Sequence, residues 1–540
     1  TLHSYNAPRS ADAKWLFFLS DRTFESAVPG PWGPRQPEPF FDRTTGIYMV
    51  SLRPGERSPF LPDDEAWLAG KESETAAAGD KKGKGKKEKE EPEKKAVSVE
   101  IDFDGIMERV IEVPAGTGNF SGLSVNENTL FWTDRETGRP DSRSLKALKI
   151  QSTGIEVKTV LSPLDSYELT LDGKRIMARK KGQIYLFAAG TSAPADLEKA
   201  RVDLGGWSFP LRPALEWRQI FVESWRLERD YFYDRDMHGV DYDRLLSKYM
   251  PYVDRVTDRY ELGDLISHIV GELSALHTFV AGGDLRTPSE NISQGALGAR
   301  FEKDAEKAGF RISHIHRADP DIIAVSSPLA RPDLGISEGD VITAVDGVTA
   351  VEAGDLQVLL KNKAGRQVLL SLADGETGAA RTAIVTPLSS AEESDLRYHE
   401  WEYERRRMVD EKSGGEMGYV HLRAMGSDNM TEWVRSFYPV FNRKGLVIDV
   451  RQNRGGNIDS WILEKLLRKA WFYWKPRVGN PFWNMQYAFR GHIGVLCNEF
   501  TASDGEAFAE GFRRLGLDKV IGTRTWGGEV WLSMTNNLVD

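Results

Sequence analysis

The sequence predicts a multidomain protein with an all-β N-terminal part, a helical segment, a compact mixed segment and an α/β C-terminal part. Three observations favour this order. Aromatic-rich, strand-like phrases recur before residue 195, an apolar stripe with helical spacing lies in residues 262–273, and an apolar strand at 445–450 precedes an amphipathic helix. At 540 residues the chain is too long for a single core.

The composition is that of an ordinary globular protein, with 40% apolar and 28% charged residues. The formal charge of −10 provides no basic footprint for nucleic acid, and no apolar stretch approaches the ~18 residues of a membrane helix. The single cysteine, Cys497, excludes an internal disulfide and cysteine-based zinc sites. We therefore predict neither a nucleic-acid nor a membrane partner.

The chain opens "TLHSYNAPRS", with neither an initiator methionine nor a signal-peptide pattern. We expect it to start inside a longer protein. The lack of disulfides favours the cytoplasm, whereas a signal peptide in a missing N-terminus would direct the protein to the periplasm or the outside.

Repeated phrases in residues 1–195 predict blades of a β-propeller. "WLFFLSDRT" (15–23) is similar to "TLFWTDRET" (129–137), as expected of units that repeat every ~40–45 residues. Only three or four blades fit, and a propeller needs roughly four to eight. We therefore predict the C-terminal part of a propeller, with an irregular β-sandwich as the alternative.

The run "KKGKGKKEKEEPEKK" (81–95) interrupts this region. Glutamates alternate with its lysines, and it has no aromatic residue on which a base could stack. We predict a disordered insertion without a nucleic-acid function.

Residues 196–290 are predicted to be helical. The i, i+3, i+4 stripe in "YELGDLISHIVGEL" predicts one buried face, from which His268 is excluded. His277 differs, because it follows the helix in "SALHTFVAGGD" (274–284).

Residues 291–388 form the compact mixed segment. "SPLARPDLGISEGDVITAVDGVTA" (327–350) predicts a turn, a one-turn helix and a strand pair closed at Asp346-Gly347. The segment resembles a PDZ domain, with "GALGARF" (295–301) at its carboxylate-binding loop. The resemblance makes Leu297 and Gly298 candidate peptide-binding residues, although a spacer role is an open alternative.

Residues 389–540 alternate strands and helices, which predicts a parallel sheet with crossover helices. Strand "GLVIDV" (445–450) precedes a predicted helix over 458–472, and strand "HIGVLC" (492–497) precedes "GEAFAEGFRRLG" (505–516). Ligands bind beyond the carboxyl ends of such strands. This rule selects the loops 451–457 and 498–504.

Each of these loops admits two interpretations. Gly455 and Gly456 could form an oxyanion hole or merely a tight turn. Ser503 could be a nucleophile at a strand-to-helix corner, or it could form an S-x-x-E capping box with Glu506. Spacing alone leaves the question of the glycines open, whereas for Ser503 the residues alone favour the cap, because capping serines greatly outnumber catalytic ones. The nearest acid/His cluster, "YHEWEYE" (398–404), lacks the H-E-x-x-H spacing of a metalloprotease, and its charge predicts a surface segment.

Several longer phrases resemble the tricorn protease family, serine peptidases related to the C-terminal processing proteases. The phrases span nearly the whole chain: "WRLERDYFYDRDMHGVDYDRLLSKY" (225–249), "GELSALHTF" (271–279), "VIDVRQNRGG" (447–456), "NEFTASDGEAF" (498–508) and "IGTRTWGG" (521–528). The resemblance implies a partial propeller, a helical segment, a PDZ domain and an α/β, crotonase/ClpP-like catalytic sandwich.

The resemblance also implies roles for individual residues. Ser503 matches the nucleophile, His277 the general base, and Gly456 and Asp504 the backbone donors of the oxyanion hole, with Gly455 as loop support. The implied reaction is hydrolysis of oligopeptides through an acyl-enzyme, without a metal or other cofactor and in a ring of subunits. The alternative is a catalytically impaired peptide-binding scaffold of the same fold.

Two departures from the family pattern bear on activity. Leu276 stands where the family has a serine that helps to hold the base. The family's catalytic glutamate is expected beyond Asp540, and Glu529 does not match its position. Cleavage preference cannot be inferred from the aromatic-rich segment before "HIGV".

Overall fold

The computed structural model describes residues 4–27, 40–65, 98–286, 290–321, 326–531 and 537–539. The predicted insertion at 81–95 lies outside the described residues. The chain divides into two compact units, Thr1–Phe209 and Pro210–Asp540. None of the described helices is long and apolar enough to cross a bilayer.

Unit one contains three antiparallel sheets whose strands follow chain order. The first holds β1 (Ser4–Tyr5), β2 (Trp15–Asp21), β3 (Thr45–Ser51) and β4 (Val110–Gly118). The second holds β5 (Phe120–Val125), β6 (Thr129–Asp134), β7 (Ser144–Lys149) and β8 (Lys158–Leu161), and the third β9 (Ser166–Leu169), β10 (Arg175–Lys180) and β11 (Gln183–Ala188).

The middle sheet of unit one has apolar side chains on both faces. Leu130 and Trp132 of β6 pack into a core shared with the first sheet, and Phe131 between them packs into a core shared with the third. All three are fully buried, as expected where alternate residues of a strand enter two cores. Stacked antiparallel sheets of this kind are the arrangement expected of neighbouring propeller blades.

Unit two begins with three helices, α1 (Pro213–Tyr231), α2 (Tyr242–Val253) and α3 (Arg259–Glu272). The predicted stripe of α3 packs against α1 and α2 in one apolar core, and His268 is exposed, as predicted. The Asp258 carboxylate caps α3 by accepting the N–H of Glu261 at 3.0 Å.

A PDZ-like segment follows. Its first and last strands, β12 (Gly295–Ala296) and β19 (Leu388–Ser389), pair with each other. Its strand order is β13-β14-β15-β17-β18, with β16 beside β15, and all neighbours are antiparallel. Asp346 and Gly347 have φ of 50° and 82°, which fits the predicted hairpin turn. The elements are β12 (Gly295–Ala296), β13 (Ala299–Asp304), β14 (Gly309–Ile315), β15 (Val341–Val345), β16 (Val348–Thr349), α4 (Ala350–Ala353), α5 (Leu356–Leu359), β17 (Val368–Ala373), β18 (Ala380–Val385) and β19 (Leu388–Ser389).

The long helix α6 (Ser390–Ser413) leads into a four-stranded parallel sheet of order β20-β21-β24-β25. This confirms the predicted α/β fold. The remaining elements are β20 (Met417–His421), α7 (Ser427–Phe437), β21 (Gly445–Asp449), α8 (Asp459–Leu467), β22 (Phe472–Trp474), β23 (Phe482–Asn484), β24 (His492–Cys497), α9 (Asp504–Arg514) and β25 (Lys519–Gly522).

Two predictions about this region were wrong. The helix predicted over 458–472 ends at Leu467, because Phe472 to Trp474 pair with β23 as a hairpin. The prediction of a surface segment over 398–404 fails at Glu400: the segment belongs to α6, where Glu400 is only 7% exposed while the other six residues are half-buried or exposed. Histidines of the PDZ-like sheet contact Glu400, so charge pattern alone misplaced it.

Substitution of Trp433 on α7 tests how much the core of the parallel sheet contributes to stability. Trp433 is fully buried and stacks on Phe437 with ring centroids 4.5 Å apart. Trp433→Ala should lower the free energy of opening of strands β20 and β21 by about 3–5 kcal/mol, measured by native-state hydrogen exchange. Trp461→Ala, at a side chain that is 57% exposed, is the matched control and should change it by less than about 0.5 kcal/mol.

Candidate active site

Ser503 lies at the corner between β24 and α9 in a strained backbone conformation. Its φ of 54° and ψ of −126° are unusual for a residue with a side chain and cost about 1–3 kcal/mol. Neighbouring hydrogen bonds hold this geometry, since Ala502 N–H donates to the Asn453 carbonyl at 2.8 Å and Ser503 N–H donates to the Glu506 carboxylate at 2.9 Å.

The Ser503 hydroxyl makes no capping hydrogen bond to α9. The N–H of Glu506, which a capping serine would accept through its side chain, donates instead to the Ser503 carbonyl at 2.7 Å. Glu506 therefore supplies its half of the capping box, while Ser503 Oγ is left for another partner. This geometry favours the nucleophile over the simple cap.

The loop after β21 lies directly against Ser503. A methyl group added at Gly455 would be 2.5 Å from Ser503 Cβ and 2.9 Å from Oγ. At Gly456, with φ of 155°, it would be 1.9 Å from the Met425 carbonyl oxygen. Both positions therefore require glycine. The backbone at Gly455 lies against the Ser503 side chain, and the backbone at Gly456 lies against the Met425 backbone.

Two backbone donors beside Ser503 have no acceptor within the described part of the chain. These are the N–H groups of Gly456 and Asp504, whereas the N–H groups of Gly455, Asn457 and Gly505 donate to the Asn453 side chain, the Met425 carbonyl and the Ala502 carbonyl. Unused donors next to a nucleophile are what an oxyanion hole requires.

The Asp504 side chain has a different task. Its carboxylate accepts the N–H groups of Ile458 and Asp459 at 2.8 and 3.0 Å, at the start of α8. Burial raises the pKa of this carboxyl to about 6, and the negative charge of Asp459 adds to the rise. The side chain thus joins α8 to α9, and only the backbone of Asp504 faces the site.

His277 follows α3 and packs against the loop after β25. Its ring makes edge contacts with Phe279 and Trp526 at centroid distances of 6.2 and 5.5 Å. A methyl group at Gly528 would be 3.2 Å from His277 Cε1. The ring is therefore positioned by residues 526–528.

Glu506 ties this loop to the serine corner. Its carboxylate, on a residue 4% exposed, accepts the N–H groups of Gly527 at 2.5 Å and Gly528 at 2.7 Å in addition to that of Ser503. Trp526 N–H donates to the Thr501 carbonyl at 3.0 Å. Hydrogen bonds thus join the loop 526–528, which packs against His277, to the corner that carries Ser503.

Three family models match the chain in succession. They are the tricorn protease C1 domain over residues 213–271, the tricorn protease PDZ domain over 295–390 and peptidase family S41 over 416–540. The chain is a tricorn protease homologue. Tricorn protease homolog 1 of Streptomyces coelicolor is 32% identical to it over 99% of the chain and 49% of the relative.

Another tricorn relative and a solved structure agree with this assignment. The tricorn protease of Thermoplasma acidophilum is 28% identical over the full chain and 47% of the relative. The crystal structure of a tricorn protease superposes with a TM-score of 0.81 at 25% identity, over the full chain and 49% of that structure. The chain spans about half the length of the tricorn relatives that it matches.

The tricorn residues singled out from the sequence lie in two places. Ser503, Gly455, Gly456 and Asp504 meet at the carboxyl ends of β21 and β24, and His277 packs on the adjoining loop after β25. Their roles remain predictions at this point. Sequence reasoning missed the anchoring by Asn453 and the positioning of His277 by Trp526, and it considered Glu506 only as a cap.

The predicted peptide-binding loop of the tricorn PDZ segment is packed from one side. Leu297 is 1% exposed and its carbonyl accepts the Ser327 hydroxyl at 3.1 Å, while a methyl group at Gly298 would be 3.0 Å from Leu396 of α6. The following strand β13 is an edge strand of its sheet. Peptide addition to that edge stays a prediction.

Glu506→Gln tests the anchor between the two tricorn loops. An amide can accept through only one of its two heteroatoms, so at least one of the three N–H donors loses its acceptor. We expect the amides of Gly527 and Gly528 to exchange about 10–100-fold faster, measured by hydrogen exchange with mass spectrometry. Glu510→Gln, one turn later on α9 in exposed contacts with Arg513 and Arg514, should leave this exchange unchanged.

Proposed function

We propose that this chain carries the active site of a serine peptidase that hydrolyses oligopeptides through an acyl-enzyme. The observation that carries the proposal is the strained Ser503 corner, where the hydroxyl is not used for capping and lies beside two unused backbone donors. A fold that needed only a helix cap has no reason to maintain this strain.

Each residue would have a defined step. His277 takes the proton from Ser503 Oγ as the oxygen attacks the peptide carbonyl, and the N–H groups of Gly456 and Asp504 stabilise the oxyanion. His277 then donates the proton to the leaving amine. Water, activated in the same way, hydrolyses the acyl-enzyme and regenerates Ser503.

His277 needs an acceptor that this chain does not supply within its described residues. Its Nδ1 is buried without a hydrogen-bond partner, and Leu276 offers no hydroxyl. Such an acceptor selects the tautomer in which Nε2 can take the serine proton. We expect it to be the glutamate that the family pattern places beyond residue 540.

The setting of the reaction is also part of the proposal. We infer unfolded oligopeptides as substrates, a PDZ-like domain that adds a peptide to β13, a propeller that filters substrates and a ring of subunits. The cytoplasm suits the single cysteine, Cys497, which is buried and unpaired.

The Ser503→Ala variant tests whether Ser503 is the nucleophile. Labelling by a fluorophosphonate probe and cleavage of an oligopeptide library, followed by mass spectrometry, should both be lost, with a fall of at least about 10³-fold in rate. Ser247→Ala, an exposed serine on α2, controls for non-specific labelling. A folded wild-type protein that neither labels nor cleaves would favour the peptide-binding scaffold instead.

Leu276→Ser tests the support of the base. A hydroxyl beside His277 could accept the Nδ1 proton, so we expect kcat to rise several-fold with KM unchanged, measured by steady-state peptide hydrolysis. Leu276→Ala removes the same side chain without adding an acceptor. If both variants behave alike, packing rather than hydrogen bonding limits the base.

A further inference from the structure

A second cluster of titratable side chains lies where the PDZ-like sheet meets α6. His314 on β14 has Nε2 2.7 Å from Glu400 Oε1, and His316, just after β14, has Nδ1 2.5 Å from Glu400 Oε2. His316 is 2% exposed and Glu400 is 7% exposed. The proposed peptidase chemistry uses none of these groups.

Carboxylates lie against both sides of the His314 ring. His314 Nδ1 lies 3.0 Å from Glu338 Oε1, so both nitrogens of this ring face carboxylate oxygens. A neutral imidazole has one N–H, and its other nitrogen is an acceptor that would repel a carboxylate. A metal ion between His314 Nε2 and Glu400 would replace that repulsion with two attractive contacts.

We propose that His314, His316 and Glu400 bind a zinc ion. The ligand atoms are Nε2, Nδ1 and a carboxylate oxygen, and all three lie within 4.8 Å of one another. Tetrahedral zinc with ligands at about 2.0–2.1 Å separates them by roughly 3.3 Å, so a small outward shift of the side chains admits the ion. Two imidazoles and a carboxylate form a ligand set that suits zinc.

The surroundings of the cluster resemble those of a built metal site. Glu338 lies beside the far nitrogen of His314 and would orient that ring, and the Arg317 N–H donates to Glu400 Oε1 at 2.9 Å. Such outer partners fix the tautomer and the direction of metal ligands. The ligand set is therefore positioned before the metal arrives.

The site has an entry path and room for a fourth ligand. The three ligand residues line an open cavity of about 720 Å³. The other residues that line it are Ser394, Tyr398, Trp401, Glu404, Gln452 and three arginines, Arg300, Arg397 and Arg405. The arginines oppose a cation, whereas Glu338 and Glu400 are in direct contact with the ligand histidines. The positive charge of the arginines also favours an anion, or a water that loses a proton, as the fourth ligand of the zinc.

Zinc at this position would join two parts of unit two. β14 belongs to the PDZ-like sheet, whereas α6 leads directly into β20 of the parallel sheet. The ion would therefore fix the PDZ-like sheet to the helix that supports the Ser503 domain. The expected role is structural, because no ligand belongs to the serine corner.

Zinc binding is measured on the full chain after removal of metal with a chelator. Titration with Zn²⁺ against a competing chelator, together with elemental analysis, should give one zinc per chain and a higher melting temperature. Glu400→Gln should weaken binding at least about 100-fold, and Glu338→Gln about 10-fold. Circular dichroism and hydrogen exchange establish that each variant folds.

His399→Asn is the matched control on the same helix. His399 also lies between carboxylates, at 3.4 Å from Asp395 and 3.5 Å from Glu402, but it is outside the proposed ligand set, and Glu402 is shared with His421 at 3.5 Å. This variant should keep the zinc stoichiometry and affinity of the wild type. Equal affinity in Glu400→Gln, or a wild type that loses all zinc to the competing chelator, would overturn the proposal.

Discussion

The Glu506 carboxylate accepts three backbone N–H groups that belong to two different loops, those of Ser503, Gly527 and Gly528. A buried carboxylate is costly unless its oxygens are satisfied, and each charge-assisted bond contributes about 1.5–3 kcal/mol. The two loops are therefore stable together and not separately. Because one loop carries the serine and the other supports His277, this single side chain couples the two halves of the site.

Parallel strands make this coupling possible. β20, β21, β24 and β25 are neighbours in one sheet, so the four segments that follow them emerge at the same edge. Met425, Gly455, Ser503 and Trp526 each lie on a different one of these segments, and hydrogen bonds or close contacts join each segment to the next. The precision of the site therefore rests on rigid strands, while loops of a few residues supply the chemistry.

The sequence predicted the elements of this site better than their mutual support. Strands 445–450 and 492–497 were recognisable because parallel buried strands are continuously apolar, and the rule for carboxyl ends selected two loops that the structure brings into contact. For the Ser503 hydroxyl the residues alone favoured a cap and only the family resemblance favoured a nucleophile, since both need the same residue at the same corner. Glu400 was misplaced because its histidine partners, on β14 and just after it, are 86 and 84 residues away in sequence. Asn453 and Trp526 act through contacts that no local pattern records.

The strained corner has an evolutionary consequence. Glycine would adopt the Ser503 conformation without the penalty of a side chain, so folding alone would favour glycine there. Serine at this corner is a stability cost that only a use of its hydroxyl explains. A lineage released from that use would be expected to drift to glycine while keeping the fold. The residue at this one position would then distinguish active enzymes from inactive ones among proteins of the same architecture.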